Sequence, residues 1–208
     1  MITIRLADAG KRFNREWIFR RLSYVFAQGQ SYAIIGANGS GKSTLLQVIA
    51  GAMNPSEGQC TYTHDEQSID GELIYQHAAI AAPYLELIEE MTAKEFLHFH
   101  QQFKPFQAGC NTDAILNTIG MQHAADKQIR YYSSGMKQRI KLAQAIFADT
   151  PVLLLDEPCT NLDQQGYALY HQLIRDYCSN KLIIVCSNDV QEYDFCTHQL
   201  NIMQCKQA

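Results

Sequence analysis

Five short stretches carry the length and apolar pattern of β-strands: Ile2–Leu6, Ser31–Ile35, Glu72–Gln76, Val152–Leu155 and Leu182–Cys186. Helical spacing fills several of the intervals, and this alternation predicts an α/β fold built on buried parallel strands. Val152–Leu155 and Leu182–Cys186 are apolar throughout, as strands covered on both faces must be. Between about Tyr84 and Ser133 only helical spacing remains, which predicts a helical subdomain inserted in the α/β core. Thr92–Ala93–Lys94–Glu95 has the spacing of a capping box, in which hydroxyl and carboxylate satisfy free amides at a helix start. Phe96, Phe99 and Phe103 follow on one stripe, read first as ordinary packing and second as a groove for a partner. Asn111 or Thr112 can cap a second helix carrying Ile115 and Ile119, with Gly120 suited to its C-terminal turn.

Composition narrows the class. The 208 residues are 47% hydrophobic and 18% charged, which fits one globular domain, 1–208, with a full-sized core. No apolar run approaches the roughly 18–20 residues that cross a bilayer, so any membrane work falls to another chain. The first residues have no long apolar segment behind their basic positions, and a cytoplasmic location is expected. A net charge of −4 with no Lys/Arg cluster gives no electrostatic footprint for nucleic acid as the main ligand. Seven cysteines without a CxxC pair suggest neither a disulfide framework nor a zinc site, and most are expected to be reduced core thiols. His98 and His100, two apart on a helix, point to different faces and do not make a metal pair.

The chemistry concentrates in two segments. Gly36–Ala–Asn–Gly–Ser–Gly–Lys–Ser43 fits G-x-x-x-x-G-K-[ST], directly after an apolar strand and before the helical run Thr44–Ala50. Gly36, Gly39 and Gly41 let the backbone turn its amides inward, and with Asn38, Ser40 and Thr44 they form a cradle for the phosphates of a nucleotide such as ATP. Lys42 should reach the β- and γ-phosphates, and Ser43 should hold Mg²⁺ through its hydroxyl. Val152–Leu155 delivers Asp156 and Glu157 at its carboxyl end, where ligands of parallel sheets bind. Asp156 is the second candidate for Mg²⁺. Glu157 is the candidate general base toward an attacking water.

Tyr132–Ser133–Ser134–Gly135–Met136 leads into Lys137–Gln138–Arg139, and Thr160–Asn161–Leu162–Asp163 stands downstream. With the P-loop and the acid pair, these four elements in this order resemble the ATP-binding cassette ATPases, the nucleotide-binding subunits of ABC transporters. The resemblance covers nearly the whole chain. It implies a P-loop NTPase core with a parallel sheet, a small N-terminal β subdomain and the helical insertion at about 84–133. The family's signature is usually LSGGQ, and YSSGM keeps Ser133 and Gly135. By resemblance these two grip the γ-phosphate held by the P-loop of a second copy, so catalysis takes a homodimer. Asp163 falls at the D-loop position, as a dimer contact or as a plain helix cap.

Other positions follow from the same resemblance. Phe13 lies where the family has an aromatic that stacks on adenine, with Trp17 a nearby competitor. The glutamine that begins the loop to the helical part should fall at Ala82–Pro83, where there is none, and Gln76 lies six residues too early. The switch histidine is replaced by Asn188 in Cys186–Ser187–Asn188–Asp189. Asn188 can exchange hydrogen bonds but cannot carry charge, so hydrolysis is expected to be slow in isolation. The resemblance implies separate transmembrane permease subunits, with this chain peripheral on the cytoplasmic face of the inner membrane. The absence of a regulatory domain and the signature lean toward export. A soluble ABC ATPase acting on ribosomes or nucleic acid is the alternative, and a P-loop kinase is opposed by the signature and D-loop segments.

Overall fold

A computed structural model describes residues 1–205. The chain divides into two compact units, Met1–Ala78 with Pro151–Glu157 and Asn180–Ala208, and Ala79–Thr150 with Pro158–Ser179. The second unit is wider than the predicted 84–133 insertion. It also takes in α4 (Ser134–Ile146) and α5 (Gln164–Tyr177), which pack on each other, with the Phe147 and Tyr177 rings 4.5 Å apart. No helix among the described residues is long and apolar enough to cross a membrane.

The first unit holds two kinds of sheet. β1 (Ile2–Phe13) pairs antiparallel with β2 (Glu16–Ala27) and with β4 (Glu57–His64), and β5 (Gln67–Ile69) closes the order β2-β1-β4-β5. Ile2, Ile4 and Leu6 alternate inward and are fully buried, the mark of a sheet with one face on the core. The ladder breaks its register between Ala7 and Gly10, and there Gly58 lies against the Asp8 carbonyl at φ 65°. A Cβ on Gly58 would come within 2.2 Å of that oxygen, so no other residue fits.

β3 (Ser31–Ile35), β7 (Val152–Asp156) and β8 (Leu182–Cys186) run parallel, with β9 (His198–Asn201) beside β3, in the order β7-β8-β3-β9. Every residue of β7 and β8 is buried. α1 (Lys42–Ile49) packs on this apolar sheet through Leu45, Leu46, Val48 and Ile49.

The expected strand Glu72–Gln76 is a 3-10 helix, Gly71–Gln76. Asp70 Oδ1 accepts from the Glu72 amide and starts the turn, while Leu73 and Tyr75 face solvent. The strand follows it, as β6 (Ala78–Ala81).

In the second unit, α2 (Ala93–His100) begins with the complete Thr92/Glu95 capping box, and α3 (Thr112–Thr118) is capped by Asn111, which accepts from Ala114 N at 2.8 Å. Gly120 follows α3 at φ 69°. Of the phenylalanine stripe only Phe96 is core; Phe99 and Phe103 are exposed and touch each other, ring centroids 5.0 Å apart. Phe103 lies beyond the end of α2 at His100, whereas Phe99 lies within it, on the side away from the buried Ala93, Phe96 and Leu97. Of the seven cysteines only Cys159, Cys178 and Cys186 are buried, fewer than expected, because Cys60, Cys110, Cys196 and Cys205 fall on strand faces, turns and ends that stay partly open.

Candidate functional site

The start of α1 is unlike every other α-helix start among the described residues. α2, α3, α4 and α5 are each capped by a side chain, from Thr92, Asn111, Ser133 and Asp163. α1 begins at Gly41, φ 103°, with no side-chain cap and no acidic residue in its first turn. A helix start carries unsatisfied amides and positive potential, and here no capping side chain and no first-turn acid meets them. Gly41 is required twice over: its φ is left-handed, and a Cβ would lie 2.1 Å from Ile18 Cγ2. Gly39, φ 72°, faces open space. Ser40 Oγ is buried with no partner among the described residues.

Lys42 is 5% exposed, and its ammonium donates to the carbonyls of Gly36 at 2.9 Å and Ala37 at 3.2 Å. Neutral acceptors hold this buried cation inside the loop it would serve. An anion placed in the cradle offers Lys42 a charged acceptor and so a stronger bond.

Asp156 ends β7, opposite Cys186 of β8. It is buried, which pushes its carboxyl above the ordinary carboxylate range; the Ser43 hydroxyl bonded to it pulls the other way, Glu157 raises it further and Lys42 lowers it. Its Oδ1 is buried without a hydrogen-bond partner among the described residues. An orphaned carboxylate oxygen beside a hydroxyl is an all-oxygen donor set, which fits Mg²⁺. The Cys186 thiol is pushed far above its usual range by burial, stays protonated, and donates to the Lys42 carbonyl at 3.5 Å.

Glu157 sits at φ 45°, a left-handed backbone uncommon for a glutamate, with its amide donating to Cys186 O at 2.9 Å. Such strain persists where surrounding bonds over-determine it. Asn188 comes to the P-loop: its Nδ2 donates to Asn38 Oδ1 at 3.1 Å. Asn38 as its partner was not readable from the sequence, since 150 residues separate the two.

Of the two aromatic candidates, Trp17 is engaged by the guanidinium groups of Arg12 at 5.5 Å and Arg20 at 4.6 Å. Phe13 is 47% exposed at the hairpin end, with only the Lys11 ammonium over its ring at 5.6 Å. Phe13 is thus the freer stacking surface. Gln76 is exposed on its 3-10 turn and donates to Tyr75 Oη at 3.3 Å.

In the second unit, Ser133 caps α4 by accepting from Met136 N at 3.2 Å, and Gly135 lies in the first turn, where a Cβ would meet Asn161 O at 3.0 Å. A concavity of about 380 Å³ opens there, lined by Ser133, Ser134, Gly135, Met136 and Arg139 among others. Asp163 Oδ1 accepts from Gly166 N at 2.8 Å, so its role as the cap of α5 is met within the chain. Gln138, missed in the sequence, is buried and donates to Pro158 O at 2.6 Å. Its position three residues after Gly135, on the same helix face, was the available signal.

The profile of the ABC transporter family matches residues 19–160. The cytochrome c biogenesis ATP-binding export protein CcmA of Rhizobium johnstonii is 31% identical over 183 residues, 85% of this chain and 83% of that protein. The uncharacterized ABC transporter ATP-binding protein YybJ of Bacillus subtilis is 27% identical, over 91% of this chain and 87% of its own length. Among solved structures, the dimeric bacterial ABC transporter cassette MJ0796 superposes with a TM-score of 0.81 at 21% identity, covering 96% of this chain and 94% of that one, a likeness of fold. With the uncapped P-loop, the buried acid at the end of β7 and the Ser133 cap, the profile and these relatives agree: the chain belongs to the ABC transporter ATP-binding family.

Proposed function

We propose that this ATP-binding subunit hydrolyses Mg-ATP as one of two identical copies and so drives export through separate transmembrane subunits. The observation that carries the reading is the uncapped start of α1 beside an orphaned, buried Asp156 oxygen. In this reading the free amides of the cradle take the β-phosphate oxygens, and Lys42 leaves the Gly36 and Ala37 carbonyls for the β- and γ-phosphates. Phe13 stacks on the base. Ser43 and Asp156 hold Mg²⁺, which when bound offsets the phosphate charge. Glu157 accepts a proton from water as the water oxygen bonds to the γ-phosphorus; the bond to the bridging oxygen breaks, giving ADP and inorganic phosphate.

Ser133 and Gly135 of the second copy meet the γ-phosphate through the start of α4, and Asp163 lies at the contact between copies. Asn188 donates a hydrogen bond where a charged histidine would give more, and one weakened transition-state donor costs on the order of 10²–10³ in rate. Slow basal turnover follows. Export is favoured because relatives such as CcmA carry it in their names. The chain then works on the cytoplasmic face of the inner membrane, held there by its partner, and nucleic acid is not among its ligands.

Phosphate release tests the reading. The native chain with Mg-ATP should yield ADP and phosphate in equal amounts, and Glu157→Gln should retain nucleotide binding while losing turnover by about 10²-fold or more. A phosphorylated acceptor in place of free phosphate would contradict it.

A further inference from the structure

We propose that Gln138 is a positioning residue for Glu157, acting through the backbone of Pro158. The inference rests on the reading of Glu157 as the general base. Glu157 occupies a left-handed backbone at φ 45° and is followed by Pro158. A non-glycine residue resists that region, and a following proline restricts the backbone before it further. A conformation opposed twice must be clamped from outside.

Two hydrogen bonds supply the clamp. On one side the Glu157 amide donates to Cys186 O at 2.9 Å. On the other the carbonyl of Pro158, the next residue, accepts from Gln138 Nε2 at 2.6 Å, a short bond in a buried setting where Gln138 is 5% exposed. Gln138 does not act alone in holding this loop. Gly135, three residues earlier on α4, lies so close to it that a Cβ would stand 3.0 Å from Asn161 O. Asn161 is itself left-handed at φ 65°. The same helix face therefore supports the loop 158–161 at its start and at its fourth residue. Gln138 is the only one of the two contacts made by a side chain, so it can be removed without changing the backbone of α4.

Gln138→Met keeps the length and burial of the side chain and removes the donor. The expected result is a kcat lowered about tenfold or more, with KM and nucleotide affinity within twofold of the native chain. Uniform weakening of the fold would move affinity as well, so the split is specific to positioning. In a Glu157→Gln background the same substitution should change the residual turnover less than twofold, because the group it positions is already gone. If Gln138→Met does not fold, Gln138→Asn keeps an amide but shortens its reach and is measured in the same way.

A native kcat in the folded variant overturns the inference. So does a kcat loss matched by an equal loss of affinity, or a further tenfold loss in the Glu157→Gln background. If Glu157→Gln alone leaves turnover intact, the proposed function of Glu157 fails first and the inference falls with it.

Discussion

The starts of α1 and α4 are both built to bring backbone amides to a surface, yet they solve the problem in opposite ways. At α4 the Ser133 hydroxyl accepts from Met136 N, satisfying one donor internally. At α1 the chain supplies no cap; Gly41 turns left-handed, and Ser40 just before it has a buried hydroxyl with no partner among the described residues. The difference separates a helix start with one donor met by its own side chain from one with none, which in the proposed reading is met by the nucleotide. Capping is worth about 1 kcal/mol in an ordinary helix. Among the α-helices of the described residues, α1 alone forgoes it.

Removing the cation from the uncapped start has the largest expected effect. Lys42→Ala should lower turnover by about 10²–10³-fold or more and weaken nucleotide binding measured by equilibrium titration. Next comes the glycine. Gly41→Ala forces a Cβ to 2.1 Å from Ile18 Cγ2 at φ 103°, and a loss of roughly 2–4 kcal/mol should appear in denaturant unfolding together with loss of nucleotide binding. Ser133→Ala, at the complete start, should cost only about 1 kcal/mol of stability, near 2–4 °C in melting temperature for a chain of this size, while nucleotide binding by the isolated chain stays native.

The smallest effect lies away from both starts. His100 is stacked between Phe96 and Phe106, each 6.4 Å away, and burial followed by the nearby Lys104 charge lowers its pKa, opposed by a bond at the Gln144 backbone. A folded pKa below the unfolded value means that the unfolded chain binds more protons as pH falls through about 6.5. Stability is then full above that pH and declines below it. His100→Phe should reduce the loss of melting temperature between pH 7 and pH 5; an unchanged difference would show that His100 contributes nothing to it.

Much of this comparison is visible in the sequence, and the limit has a physical cause. Ser31–Ile35 and Leu182–Cys186 are strands at the predicted bounds because continuous apolar runs of that length have few alternatives in a parallel sheet. Thr92 and Asn111 cap as expected, since a cap is decided within four residues. Glu72–Gln76 misled because Leu73, Ile74 and Tyr75 look like a strand, while Asp70 starts a 3-10 turn that leaves two of the three exposed. The true strand, Ala78–Ala81, is alanine-rich and gives little signal. The bonds Asn188 to Asn38 and Gln138 to Pro158 join residues 150 and 20 positions apart, and only the folded chain brings them together.

The central claim is that the uncapped start of one copy and the Ser133 start of another complete a single site around ATP. Sedimentation velocity on Glu157→Gln tests it most directly. With saturating Mg-ATP the variant should sediment as a dimer and return to monomer with Mg-ADP or when Ser133→Ala is added. A variant that binds ATP fully but remains a monomer would contradict the account.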